Sequence, residues 1–228
     1  MTDKKIRILP KGPYEVSGNI PIRQEIMINN EEGTPIKREK GKEYPSGETS
    51  YLCRCGHTNN IPFCDGTHGK IGFEGTEYAE KKQYEEAAKR YLGEEVDMLD
   101  QQNLCAIARF CHLGKDTRNS VIHHENEKDT QNAMQSASNC PAGRLTILQK
   151  EGKSIEPILE PEIGLIEDRG KNYKGPLRIQ GGIPIESSDG EGYPIRNRVT
   201  LCRCGTSQNM PFCDGKHLKC AHMEGIST

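Results

Sequence analysis

One pattern occurs twice in this chain and limits what it can fold into. Residues 52–68 read LCRCGHTNNIPFCDGTH and residues 201–217 read LCRCGTSQNMPFCDGKH, aligned without a gap. A second match lies upstream, where Gly12–Ile22 (GPYEVSGNIPI) parallels Gly175–Ile185 (GPLRIQGGIPI). Self-similarity of this kind predicts two copies of one small fold. Each copy is a GP…IPI segment, a polar loop and a Cys-rich finish. The first loop is the longer, punctuated by Gly33, Pro35, Gly41, Pro45 and Gly47.

Composition says how such copies must be stabilised. Only 33% of residues are hydrophobic, Trp is absent, and Gly (24) and Pro (13) are abundant. This argues against one large apolar core and for several small modules, each needing a staple. Ten cysteines can supply the staples. A net charge of −2 gives no polybasic signature for nucleic acid. The start Met1-Thr2-Asp3-Lys4-Lys5 lacks the apolar stretch of a secretory signal, and no apolar run is long enough to span a membrane. The expectation is a soluble, cytoplasmic protein, a setting that favours metal binding over disulfides.

The segment between the copies differs. Residues 78–92 (YAEKKQYEEAAKRYL) and 127–138 (EKDTQNAMQSAS) predict helices, and 144–149 (RLTILQ) predicts a strand between Gly143 and Gly152. The expected division is a first repeat unit at 1–77, a partly helical insert at 78–168 and a second repeat unit at 169–228.

Cys53 and Cys55 are two residues apart, so in an extended segment both thiolates leave one face and reach one metal. Gly56 lets the chain turn. Pro62 stiffens the return, and Asp65 is placed to cap a helix starting at Gly66. That helix would set His68 beside Cys64. Cys202, Cys204, Cys213, Asp214 and His217 repeat the arrangement. Three Cys and one His also make a legitimate structural zinc set. Disulfides are disfavoured by the odd number of cysteines, three, in each repeated motif.

The string C-x-C-x2-(S/T)-x3-P-x-C-D-G-x-H resembles the signature of the CDGSH iron–sulfur domain family, the mitoNEET-type proteins. Both copies match at every ligand position; the family's Ser, not a ligand, is Thr67 in one and Lys216 in the other. The resemblance implies two [2Fe–2S] clusters. Cys53/Cys55 and Cys202/Cys204 would hold one iron of each, Cys64/His68 and Cys213/His217 the other. It also implies small β-rich units packed as a pseudo-dimer. Three thiolates leave such an oxidised centre at about −1 and the reduced one at about −2. Neutral histidine in place of a fourth thiolate raises the potential, and its protonation would release the cluster in acid. Arg54 and Arg203, between paired cysteines, either offset cluster charge or are solvated.

Cys105, Cys111 and Cys140 lie in the insert. LCAIARFCH (104–112) and CPAG (140–143) are similar to divergent single-cluster ferredoxin domains, with Ala108 where the middle cysteine stands. The resemblance implies a third cluster, [3Fe–4S], or [4Fe–4S] with a non-Cys ligand; His112 is nearby. The alternative is a domain without a cluster, with 104–111 an amphipathic helix burying Leu104, Ile107, Ala108 and Cys111. Cys220 reads as a free terminal thiol, and His57, His123 and His124 as solvated loop residues.

The expected fold is therefore α+β: two β-rich units forming an intrachain pseudo-dimer, sufficient as a monomer, around a ferredoxin-like insert. The expected function is electron transfer or redox sensing by a protein that is not an enzyme, with a redox partner protein. No nucleotide-binding glycine fingerprint or Ser/His/Asp set is present. The alternatives are cluster storage and delivery to an apo-protein acceptor, and a zinc-stapled interaction module. Neither nucleic acid nor membrane is expected as a partner.

Overall fold

A computed structural model describes residues 3–112 and 115–226. The architecture is α+β and rich in strands. The first copy contributes β1 (Lys5–Ile8), β2 (Tyr14–Ser17), β3 (Ile22–Asn29), β4 (Pro35–Tyr44), β5 (Thr49–Leu52) and the one-turn helix α1 (Thr67–Lys70). The insert contributes α2 (Tyr84–Ala87), β6 (Lys89–Tyr91), β7 (Asp97–Asp100), α3 (Thr117–Ile122), α4 (Glu127–Asn139), β8 (Leu145–Leu148) and β9 (Ser154–Ile155). The second copy contributes β10 (Glu162–Asp168), β11 (Tyr173–Gln180), β12 (Ile185–Glu186) and β13 (Arg198–Leu201).

The two copies exchange strands. One sheet runs β12-β1-β2-β5 and another β13-β11-β10-β3-β4. Thus β3 of the first copy lies parallel to β10, and β12 of the second lies parallel to β1. Equivalent prolines start the two exchanged ladders. The Pro21 carbonyl accepts from Ile163 N and the Pro184 carbonyl from Ile6 N, both at 2.9 Å. A proline cannot donate to a ladder but accepts normally, which suits it to the first position of a joining strand. The expected polar loop of the first copy is instead the β3–β4 hairpin. Its outer strand β4 (PIKREKGKEY) forms the sheet edge, where charged side chains discourage further strand pairing.

Strand exchange gives the two copies one shared core, beside a separate smaller core in the insert. The main apolar cluster joins Ile6, Ile8, Val16 and Leu52 of the first copy to Leu165, Leu177, Val199 and Leu201 of the second, and takes in Leu99, Leu104 and Ala142 of the insert. Each fully buried aliphatic side chain contributes about 1.5–3 kcal/mol, so a shared core stabilises all three parts at once. A buried ion cluster crosses the same join: Arg178 on β11 donates to Glu25 on β3 at 2.7 Å, with Arg38 on β4 at 3.5 Å.

The insert has its own sheet, β6-β7-β8-β9, covered by α3 and α4. Ala133 and Ala137 of α4 pack with Met98, Leu145 and Ile147. The helix expected at 127–138 and the strand at 144–149 are present. The helix expected over 78–92 is reduced to the single turn α2. Tertiary contacts override propensity there. Tyr78 N and Ala79 N both donate to Met210 O, Lys81 pairs with Asp189 and Glu191 of the second copy, and β6 is claimed by β7. The drawn boundary at 168/169 falls at the turn joining the hairpin partners β10 and β11. Among the described residues no helix is long and apolar enough to cross a membrane.

Candidate metal centres

Each cysteine motif is a small scaffold with the same hydrogen bonds. Cys53 N donates to Pro62 O and Cys64 N to Tyr51 O; Cys202 N donates to Pro211 O and Cys213 N to Thr200 O, all at 2.8 Å. Ile61–Pro62 and Met210–Pro211 are both cis. The Thr58 hydroxyl donates to Phe63 O at 2.6 Å and its counterpart Ser207 to Phe212 O at 2.7 Å. Asp65 accepts from Asn59 N and Thr67 N, and Asp214 from Gln208 N and Lys216 N. Those bonds, Asn59 N first, hold the Asp65 carboxyl well below its usual range. The expected cap is shifted by one residue. Gly66 and Gly215 occupy the N-cap position at φ +84° and +83°, and Asp supports the turn from just outside. The left-handed conformation explains the glycine.

These bonds set the cysteines and histidines in pairs. Cys53 Sγ lies 3.7 Å from Cys55 Sγ, and Cys202 Sγ lies 3.5 Å from Cys204 Sγ. Cys64 Sγ lies 3.2 Å from His68 Nδ1, and Cys213 Sγ lies 3.5 Å from His217 Nδ1. Two thiolates on one tetrahedral metal lie about 3.8 Å apart, and a thiolate and an imidazole nitrogen about 3.5 Å, given bonds of about 2.3 and 2.0 Å. The pairs fit one metal each. Among the described residues no three His, Cys, Asp or Glu side chains converge on a single ion. All ten cysteines are free thiols.

The insert places Cys105, Cys111 and Cys140 around one small cavity, with Ala108 and Arg144 also in its wall. Segment 105–109 is not helical, which overturns the amphipathic-helix alternative. Ile107 and Arg109 sit at φ +53° and +62°. A β-branched residue in the left-handed region is costly. His112 is exposed and outside the cavity wall. Burial, then the neighbouring Cys140 and Cys105, push the Cys111 thiol up to about 11.

The family comparison agrees with this geometry. The model of the iron-binding zinc finger CDGSH type matches residues 11–69 and 174–218, and that of the divergent 4Fe-4S mono-cluster matches 91–150. The chain is an iron–sulfur protein with two CDGSH domains around a divergent 4Fe–4S domain. No curated protein and no solved structure shows a significant match to it.

The two CDGSH units differ in exposure. Cys53, Cys55, Cys202 and Cys204 are all buried. At the Cys/His edge, Cys64 and His68 are half-buried, whereas Cys213 and His217 are 2% and 5% exposed. Burial chiefly, and then Arg203, lower the His217 pKa to about 4. Burial also raises the Cys55 thiol to about 11 and raises Cys64 and Cys213. Without a cation these thiols hold their protons, so metal binding must release them.

Arg54 and Arg203 are not solvated. Arg54 donates through Nε to Gly12 O at 2.9 Å, and Arg203 to the equivalent Gly175 O at 2.5 Å. Both are buried beside the thiols and tie the Cys-x-Cys segment to the repeated Gly-Pro. His57 is exposed, but its ring stacks on His222 at 4.3 Å. His123 is exposed, His124 is half-buried, and Cys220 Sγ lies 3.1 Å from the Thr206 hydroxyl. Sequence reasoning missed three residues. The Tyr14 hydroxyl donates to Cys202 O at 2.7 Å, linking one unit to the other's cysteine. Arg109 forms an ion pair with Asp168, and Arg198 donates to the carbonyls of Ala137, Ser138 and Cys140. Their partners are distant in sequence, so no local pattern signals them.

Proposed function

We propose that the chain carries one-electron equivalents on two [2Fe–2S] groups and a third iron–sulfur group, and that it is not an enzyme. The observation that carries this reading is the pairing of donors. Two Cys/Cys pairs and two Cys/His pairs have one-metal spacing, one pair of each kind in each CDGSH unit. A binuclear group needs two metals with two protein donors each, whereas a tetrahedral zinc ion needs four donors around one point. Cys53, Cys55, Cys64 and His68 would hold the first group, and Cys202, Cys204, Cys213 and His217 the second. Cys105, Cys111 and Cys140 would hold the third, as [3Fe–4S] or as [4Fe–4S] with a fourth ligand from outside the protein cysteines.

The bound groups supply one-electron redox chemistry. The chain's own residues do the rest. The four donors of each CDGSH unit would fill both metals' protein positions, leaving no open site for Lewis-acid catalysis. The buried Arg54 and Arg203 place fixed positive charge next to the thiolates. Hydrogen-bonded turns at Asp65 and Asp214 hold the histidine-bearing segment in place, so reduction would require little reorganisation of the fold.

The half-buried Cys64–His68 edge favours a second reading, delivery of a cluster from the first unit to an apo-protein. The two readings separate on mixing the iron-loaded protein anaerobically with apo-ferredoxin, beside repeated reduction and reoxidation with a one-electron carrier. Electron carriage predicts reversible cycles with iron content unchanged and no colour gained by the apo-ferredoxin. Iron appearing on the apo-ferredoxin would establish delivery instead.

A further inference from the structure

The second CDGSH unit touches both of the other cysteine sites. On one side its Cys-x-Cys turn abuts that of the first unit. A β-carbon on Gly205 would lie 2.6 Å from Cys55 O, and one on Gly56 would lie 2.9 Å from Cys204 O. The backbones next to Cys55 and Cys204 are thus in direct contact. On the other side its Cys213–His217 turn is covered by the insert. A β-carbon on Gly215 would meet Ile107 Cδ1 and lie 3.4 Å from Cys105 O. Arg109, in the same loop, pairs with Asp168 at the end of β10 and fastens this face. The matching Gly66 of the first unit has nothing within 4 Å. One Cys/His edge is therefore open to solvent while its repeat is roofed by another cysteine loop.

We propose that the second CDGSH site is an internal relay between the insert's cysteine site and the first CDGSH site, and that external partners meet only the two ends. This rests on the electron-carrier reading above. Histidine ligation raises the potential of a CDGSH site above that of an all-cysteine [2Fe–2S] site, so the proposal places these units at the receiving end. With the groups bound, a one-electron donor protein would reduce the insert site, held by Cys105, Cys111 and Cys140. The contact of Cys105 O with Gly215 would lead to the second site, and that of Gly205 with Cys55 O to the first. A one-electron acceptor protein would be served at the Cys64–His68 edge. Each transfer would oxidise the site it leaves and reduce the site it enters; no bond would form or break.

The test uses the iron-loaded full chain and electron paramagnetic resonance. As the protein is poised at successively lower potentials, the relay predicts spin–spin interaction of the second site with both others. Between the first and insert sites it predicts none of comparable strength. A first–insert interaction as strong as either would overturn it. Kinetically, after mixing with one equivalent of reduced ferredoxin, the insert signal should decay as the first-site signal grows. In Cys213→Ser protein whose iron count shows the other two sites filled, that growth should slow by an order of magnitude or more. An unchanged rate overturns the relay. If the variant loses iron everywhere, the wild-type spin interactions decide. A protein lacking reducible paramagnetic centres would remove the electron-carrier reading itself, whereas reducible centres without this coupling pattern would remove only the relay.

Discussion

Replacing Arg198 with alanine is expected to destabilise the protein by about 3–5 kcal/mol, the scale for removing one partner of a buried charged network. The side chain is 1% exposed. Its Nη1 donates to Ala137 O at 2.6 Å and to Ser138 O and Cys140 O at 2.8 Å, and its Nε and Nη2 hold Glu156. The three carbonyls belong to the end of α4, where helical carbonyls lack intrahelical partners and favour a cation. Arg38 reaches the same end from β4 by donating to Asn139 O. Two arginines from CDGSH strands thus dock the helix that delivers Cys140. Urea unfolding of Arg198→Ala should show the loss, and iron should leave the insert before the CDGSH units. Arg198→Lys keeps the charge without the fork and should fall between. A change below about 1 kcal/mol, the scale of an exposed ion pair, would mean that the clamp does not operate.

The second large effect concerns the contact between the CDGSH units. Gly205 and Gly66 have nearly equal φ, +80° and +84°. A side chain in this left-handed region costs about 1–2 kcal/mol at either position. Space distinguishes them. Around Gly66 the space is open, whereas a β-carbon on Gly205 would press on Cys55 backbone atoms at 2.6–3.2 Å. Backbone cannot yield as a flexible side chain does, so overpacking adds about 1–3 kcal/mol. Gly205→Ala should therefore cost clearly more than Gly66→Ala in matched urea titrations, and it should disturb the spectra of both CDGSH sites. Equal costs would show that the two turns do not abut.

How much of this was legible in the sequence depends on the range of each interaction. The ligand candidates were visible because Cys53, Cys55, Cys64 and His68 sit within one turn-rich stretch whose hydrogen bonds are local. The helix near 127–138 was visible from composition, and the strand at 144–149 from its bounding glycines. The strand exchange was not, since nothing in Ile20-Pro21-Ile22 says which copy's sheet β3 will join. The 78–92 segment misled because its charges and alanines favour a helix in isolation, while Met210 O and β7 take its backbone in the fold. For Arg54 and Arg203 the sequence left open whether they offset cluster charge or are solvated; their burial depends on carbonyls at Gly12 and Gly175. The insert's three cysteines were individually visible. That they share a cavity depends on the left-handed turns at Ile107 and Arg109, which no propensity favours.

The central claim, three iron–sulfur sites on these cysteines and histidines, is tested most directly by counting iron and acid-labile sulfide per chain after anaerobic purification. Two binuclear groups and a third of three or four irons predict about seven or eight irons in the native protein. The Cys105→Ala, Cys111→Ala, Cys140→Ala variant should retain about four, on the two binuclear groups alone. A native count of about four, unchanged in that variant, would contradict the insert site, and a colourless protein holding zinc would contradict the account as a whole.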